Sequence, residues 1–252
     1  MLLLLQFLFR LSFGMAAAMA TVSPRQVSSG YYRNNLYVLL GLNVLASLVA
    51  ASGFRESSLV VAPAVIAALA SYGGAVCWLY ERPRAGVASL VLIALVTLAG
   101  TCLTAWQPSS SLAAWLLIES SAAVSGLVLG VTMAAMLLGH WYLNAPGMQI
   151  APLVRLIALM GVALAVRAAL SACDFALNLH AGATFSPVEW SLMALRWLAG
   201  LVGAEAMAYL AWRTLKIPNT QSATGILYVA VMFTFLGELA ALLLSAKAEF
   251  PL

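Results

Sequence analysis

Charge is what this sequence has least of. Only 8% of its 252 residues are Asp, Glu, Lys or Arg, whereas 64% are hydrophobic, and mean hydropathy is +1.01. A soluble domain carries about a quarter charged residues, so a soluble globular fold is excluded. No polar stretch is long enough for a separate soluble domain; any soluble catalytic part must then belong to a partner. Histidine occurs only at His140 and His180, and cysteine only at Cys77, Cys102 and Cys173, each alone in an apolar segment. Without CxxC or CxxCH spacing, the cysteines read as small core hydrophobes. HExxH, GxSxG and aspartyl signatures are also missing, so no catalytic residue and no metal ligand is assigned. The net charge of +4 is spread singly at segment ends, which argues against a nucleic-acid surface.

What is present is a succession of apolar segments. The expected fold class is all-α, a polytopic integral membrane helical bundle of about eight transmembrane helices in a single transmembrane domain, 1–252. Spans are expected at about 1–21, 36–53, 59–80, 86–106, 112–139, 153–178, 189–212 and 222–246, since about 20 apolar residues cross a bilayer. Their bounds are Pro24, Gly53, Pro83, Pro108, Pro146 with Pro152, Pro187 and Pro218. Ala18-Met19-Ala20 resembles a signal-peptide cleavage site, but no positive stretch precedes the apolar run and Arg10 interrupts it. A retained first span is therefore expected.

The loops alternate in charge. One side collects Arg25, Arg33, Arg82, Arg84, Arg155, Arg213 and Lys216, and the other has Arg55 and Lys247. The positive-inside rule places the richer side in the cytoplasm and both termini outside, and the expected location is a bacterial cytoplasmic membrane. The polar, aromatic segment from Ser23 to Asn35, with Arg82 and Arg84, reads as a cytoplasmic docking surface or a lipid anchor. No internal sequence repeat stands out, which weighs against a transporter.

The stretch from Trp115 to Arg155 is the one around which the rest is organised. Glu119 and His140 are separated by 21 residues, which at about 1.5 Å rise each is roughly 31 Å, close to the hydrocarbon thickness. Between them Ser125, Gly126 and Gly130 place small residues about one turn apart, the pattern that admits a close neighbour in lipid. This helix is expected at the centre of its bundle.

Arg10, Glu119, Arg167, Asp174, Arg196, Glu205 and Glu238 all fall inside expected spans. A charge at the bilayer centre costs at least about 2.5–3.5 kcal/mol, so each should face the interior and find a partner. Arg167 and Asp174, seven apart, share one helical face. Arg196 and Glu205, nine apart, point different ways, and Arg196 is expected to meet a carboxylate on another helix. By depth, Glu119, Asp174 and Glu238 are candidates for one carboxylate cluster toward the outside, with proton handling or structural ion pairing as its role. Glu205, deeper, has the better single claim to a functional acid if no arginine reaches it.

His140, Trp141 and Tyr142 set a polar donor between aromatic rings at an interface, an arrangement that suits a quinone headgroup; haem ranks below quinone. His140 and His180 lie near opposite faces and cannot share a haem, although Met133 or Met136 would be a second ligand of the right type. These features point to an integral subunit of a larger membrane complex, with protein partners and lipid around it, that handles electrons, quinol or protons. They favour an accessory subunit over a stand-alone enzyme. A proton-coupled small-solute permease and a structural scaffold are the alternatives.

Overall fold

The structure, a computed structural model, describes residues 1–53, 58–105, 112–145, 147–217 and 219–246. The topology markers Arg55, Lys247, Pro108, Pro146 and Pro218 lie outside the described residues. Eight helices follow one another: α1 (Leu2–Thr21), α2 (Ser29–Gly53), α3 (Ser58–Leu79), α4 (Pro83–Ala105), α5 (Leu112–Asn144), α6 (Ala151–His180), α7 (Pro187–Lys216) and α8 (Thr220–Ser245). Each is long and apolar enough to cross a membrane. No strand occurs among the described residues. The end of the bundle at which α1 begins is its upper end, and the opposite end is its lower end.

Several helices run past their apolar stretches, because hydropathy marks the part that suits hydrocarbon while backbone hydrogen bonding continues beyond it. The largest difference is at α2, which begins at Ser29, well before the expected residue 36. Part of the segment expected as a docking surface or lipid anchor therefore lies in the core, while Arg25, Ser28, Asn34, Arg82 and Arg84 are exposed. Tyr31 and Tyr32 are fully buried; the Tyr32 ring stacks on Trp78 at 4.0 Å, and its hydroxyl donates to the Val22 carbonyl at 2.8 Å. These two aromatics close the lower end of the bundle. At the upper end α7 starts from a capping box, with Ser186 accepting from the Glu189 amide and Glu189 accepting from the Ser186 amide.

The eight helices fall into two groups of four with the same order of neighbours. In the first group α1 packs on α2 and α4, α2 on α3, and α3 on α4; in the second α5 packs on α6 and α8, α6 on α7, and α7 on α8. Helices α1 and α5 join the groups face to face. They are the central pair: 67% and 72% of their most apolar stretches are buried, against 33–44% for the other six. Glycine permits this seam. A Cβ on Gly14 would fall on the Gly126 carbonyl, and one on Gly130 would fall on the backbone of Gly14 and Met15. With no water to drive apolar faces together, such backbone approach is what holds helices in lipid. Gly200 and Gly237 make an equivalent close crossing between α7 and α8. The repeat of architecture has no counterpart in an evident sequence repeat, because small and apolar residues can be exchanged among themselves while the packing order persists.

Candidate functional site

The second group places Arg167, Asp174, Arg196 and Glu238 inward, and α1 adds Arg10. On α6, Arg167, Ser171, Asp174 and Asn178 follow at steps of four, three and four and are all buried, a single stripe along one helical face. Ser121 and Ser125 present the matching stripe on α5, one turn apart, both buried. Arg167 grips Glu238 of α8 with two parallel bonds, Nε to Oε1 at 2.9 Å and Nη2 to Oε2 at 3.1 Å. Its third nitrogen, Nη1, donates to the Ser121 hydroxyl at 2.6 Å. The Ser125 hydroxyl donates to Glu238 Oε2 at 2.5 Å. Such forked pairing is the strongest form of a carboxylate–guanidinium contact. It keeps two charges satisfied in a place where either alone would be very costly.

The network extends on both sides of this pair. Arg10 Nη1 donates to Ser125 at 3.2 Å, an approach made feasible by the glycine seam one turn away. Ser121 donates to Asp174 Oδ2 at 3.3 Å, and Asn178 donates to the Asp174 carbonyl at 2.9 Å. The carboxylate expected opposite Arg196 is replaced by a hydroxyl: among the described residues Arg196 donates from Nη2 to Ser171, which itself donates to the Arg167 carbonyl. Arg196 opens a π-helical stretch, Arg196–Gly203, a wider turn often found where function needs a side chain re-aimed. Side chains from α1, α5, α6, α7 and α8 therefore form one buried chain of bonds. Asp174 Oδ1 and the Nε atoms of Arg10 and Arg196 keep no partner among the described residues.

Glu119 is not bonded into this chain. It precedes Ser121 by two residues, about 200° around the helix, and so sits beside the Cys102 thiol of α4, outside the network. The three-carboxylate cluster is thus reduced to Asp174 and Glu238, linked through Ser121 and Arg167. Glu205 has no ion pair among the described residues. It is exposed on the outward side of α7, in an open cleft of about 580 Å³ against α6 lined by Leu164, Ala168, Trp197, Leu201 and Tyr209.

The aromatic trio at the lower end diverges, as consecutive helical residues must. Trp141 Nε1 donates to Ser28 Oγ at 2.8 Å, and the Tyr142 hydroxyl donates to the Gln149 carbonyl. Both clamp connecting segments. His140 alone faces outward, with its Nδ1 3.2 Å from the Tyr228 hydroxyl of α8, so no single headgroup could meet all three. Met133 and Met136 share the helix of His140 and cannot sit across a haem from it. Among the described residues no group of three His, Cys, Asp or Glu could hold a metal ion.

A cavity of about 220 Å³ leads from the upper end to the network. Gln6, Arg10, Ser121, Arg167 and Ser245 give it polar lining, and Leu2, Leu3, Ile118 and Leu242 give it apolar walls. Ser121, Ser125 and Ser171 are polar links that the charges alone do not reveal in the sequence. The signal for them is their one-turn spacing from each other and from Arg167. Comparison with protein-family models, with curated proteins and with solved structures finds no match to this chain.

Proposed function

We propose that this chain is an integral membrane subunit of a larger complex, and that its task there is to take up and hold protons. One observation carries the reading. Two carboxylates, three arginines and three serine hydroxyls from five helices form a continuous buried network at the foot of a cavity. Hydroxyls both donate and accept, and Ser121 lines the cavity and donates to Asp174, so it can pass a proton between the cavity and Asp174 while Arg167 holds Glu238 in its ion pair. Arg25, Arg82, Arg84, Arg155, Arg213 and Lys216 gather at the lower end, so the cavity opens outward from a bacterial cytoplasmic membrane. Electron or quinol chemistry belongs to the partners, with the outward-facing His140–Tyr228 pair as this chain's point of contact for a quinone.

The test is purification from the native membrane, with mass spectrometry of stoichiometric companions and proton uptake measured on the same preparation. The expected result is redox partners and an uptake that falls about tenfold in Asp174→Asn. A chain that purifies alone, with no uptake sensitive to Asp174, overturns it. A proton-coupled permease is the second reading. It is favoured by the two groups of helices with one order of neighbours, since parallel repeats are a common plan for transporters, and solute flux into vesicles by the lone chain would select it.

A further inference from the structure

The cavity above the network contains more donors than the network uses. Arg10 is buried and lines the cavity, yet its only hydrogen bond among the described residues is Nη1 to Ser125, and its Nε has no partner. A guanidinium carries five N–H donors in a planar fork, so four of them lack an acceptor among the described residues. Arg167, on the same cavity wall, is different: all three of its nitrogens are engaged by Glu238 and Ser121. No carboxylate forms an ion pair with Arg10 among the described residues. A buried, underused guanidinium facing a cavity is half of a recognition pair whose other half is a planar anion.

The shape of the cavity narrows the class. Arg10 lies eight residues into α1 from Leu2, or about 12 Å below the upper end, deeper than the phosphate of a lipid headgroup. Above it Leu3, Ile118 and Leu242 are apolar, and a bare hydrated ion gains nothing from such walls. The volume of about 220 Å³ exceeds the ~150 Å³ that holds benzene in an engineered apolar cavity. It leaves room for a ring-sized apolar body with one polar head.

We propose that this cavity is a binding site for a small organic monocarboxylate, with the carboxylate forked onto Arg10 and the apolar body held between α1, α5 and α8. The site needs only the cavity and Arg10, so it stands whether or not the network below carries protons.

Benzoate is the probe, titrated calorimetrically into the purified full chain in nanodiscs, with benzyl alcohol as the uncharged comparison and chloride as the bare anion. The expected result is saturable benzoate binding, at least about tenfold weaker for benzyl alcohol and in Arg10→Gln, as loss of a charge-assisted fork demands, and unaffected by equimolar chloride. Ala246→Trp, at the cavity mouth, leaves Arg10 in place and covers the case in which Arg10→Gln does not fold; it too should weaken benzoate at least tenfold. Absence of saturable binding, equal affinity for benzoate and benzyl alcohol, displacement by equimolar chloride, or unchanged binding in Ala246→Trp would each overturn the proposal.

Discussion

On one side of the α1–α5 pair, helices α2 to α4 bury Asn43, Ser71, Thr97, Thr101 and Thr104, and each of these donates to a carbonyl one turn back on its own helix. On the other side, helices α6 to α8 bury Arg167, Arg196 and Glu238, and these side chains bond between helices. A bond to the preceding turn is satisfied wherever the helix goes, so it says nothing about neighbours. A bond between helices is satisfied in one arrangement only. Apart from the bond from the Tyr31 hydroxyl of α2 to the Ala134 carbonyl of α5, the first flank is therefore held by shape and the second by charge, although both have the same order of packing. Among the described residues the buried charges lie on the second flank and on the one side chain that α1 lends it.

Substitutions in matched places measure how deep that division runs. The largest effect is expected from Arg167→Ala, which leaves Glu238 buried without its partner and should cost about 3–5 kcal/mol, read as a lowered midpoint in denaturant titration of the purified protein; a double change of Arg167 and Glu238 to methionine should recover most of it. Next comes the seam shared by both flanks. Gly130→Leu drives a side chain into the Gly14 backbone and should cost at least about 1–3 kcal/mol as overpacking, with the thermal midpoint as the check. Ser121→Ala removes an acceptor from Arg167 and a donor from Asp174, a loss of about 1–3 kcal/mol, together with slower proton uptake. Thr101→Val on the first flank should cost no more than about 0.6 kcal/mol, typical of a hydrogen bond in a membrane bundle; a loss as large as that of Ser121→Ala would erase the distinction between flanks. The smallest effect is expected from Glu205→Gln, where no ion pair among the described residues is broken and the midpoint should not fall.

Much of the architecture is legible in the sequence because a bilayer leaves a chain few options. Apolar length marks the eight helices, and seven-residue spacing puts Arg167 and Asp174 on one inward face. The partner of Arg167 is not legible: Glu238 is 71 residues away, and nothing in a single segment says which helices will touch. Depth alone groups Glu119 with Asp174 and Glu238, and rotation about α5 separates it again. Hydropathy sets the start of α2 too late because Tyr31, Tyr32 and Asn35 lower the local average while lying in the core. The small residues of α5 point to its central place, and the same argument applies to Gly14 of α1, where the nearby cleavage-like motif masks it.

The glycine seam and the bond from Arg10 to Ser125 also impose an order of events. The two residues are 115 positions apart, and a ribosome adding about 5–20 residues per second needs roughly 6–23 s to deliver the second after the first. For that interval the earliest helix carries a guanidinium with its eventual acceptor still unmade. It must wait at the insertion machinery, at the water interface or against a helper protein until the fifth helix arrives. The central seam thus closes only after three intervening helices have been made.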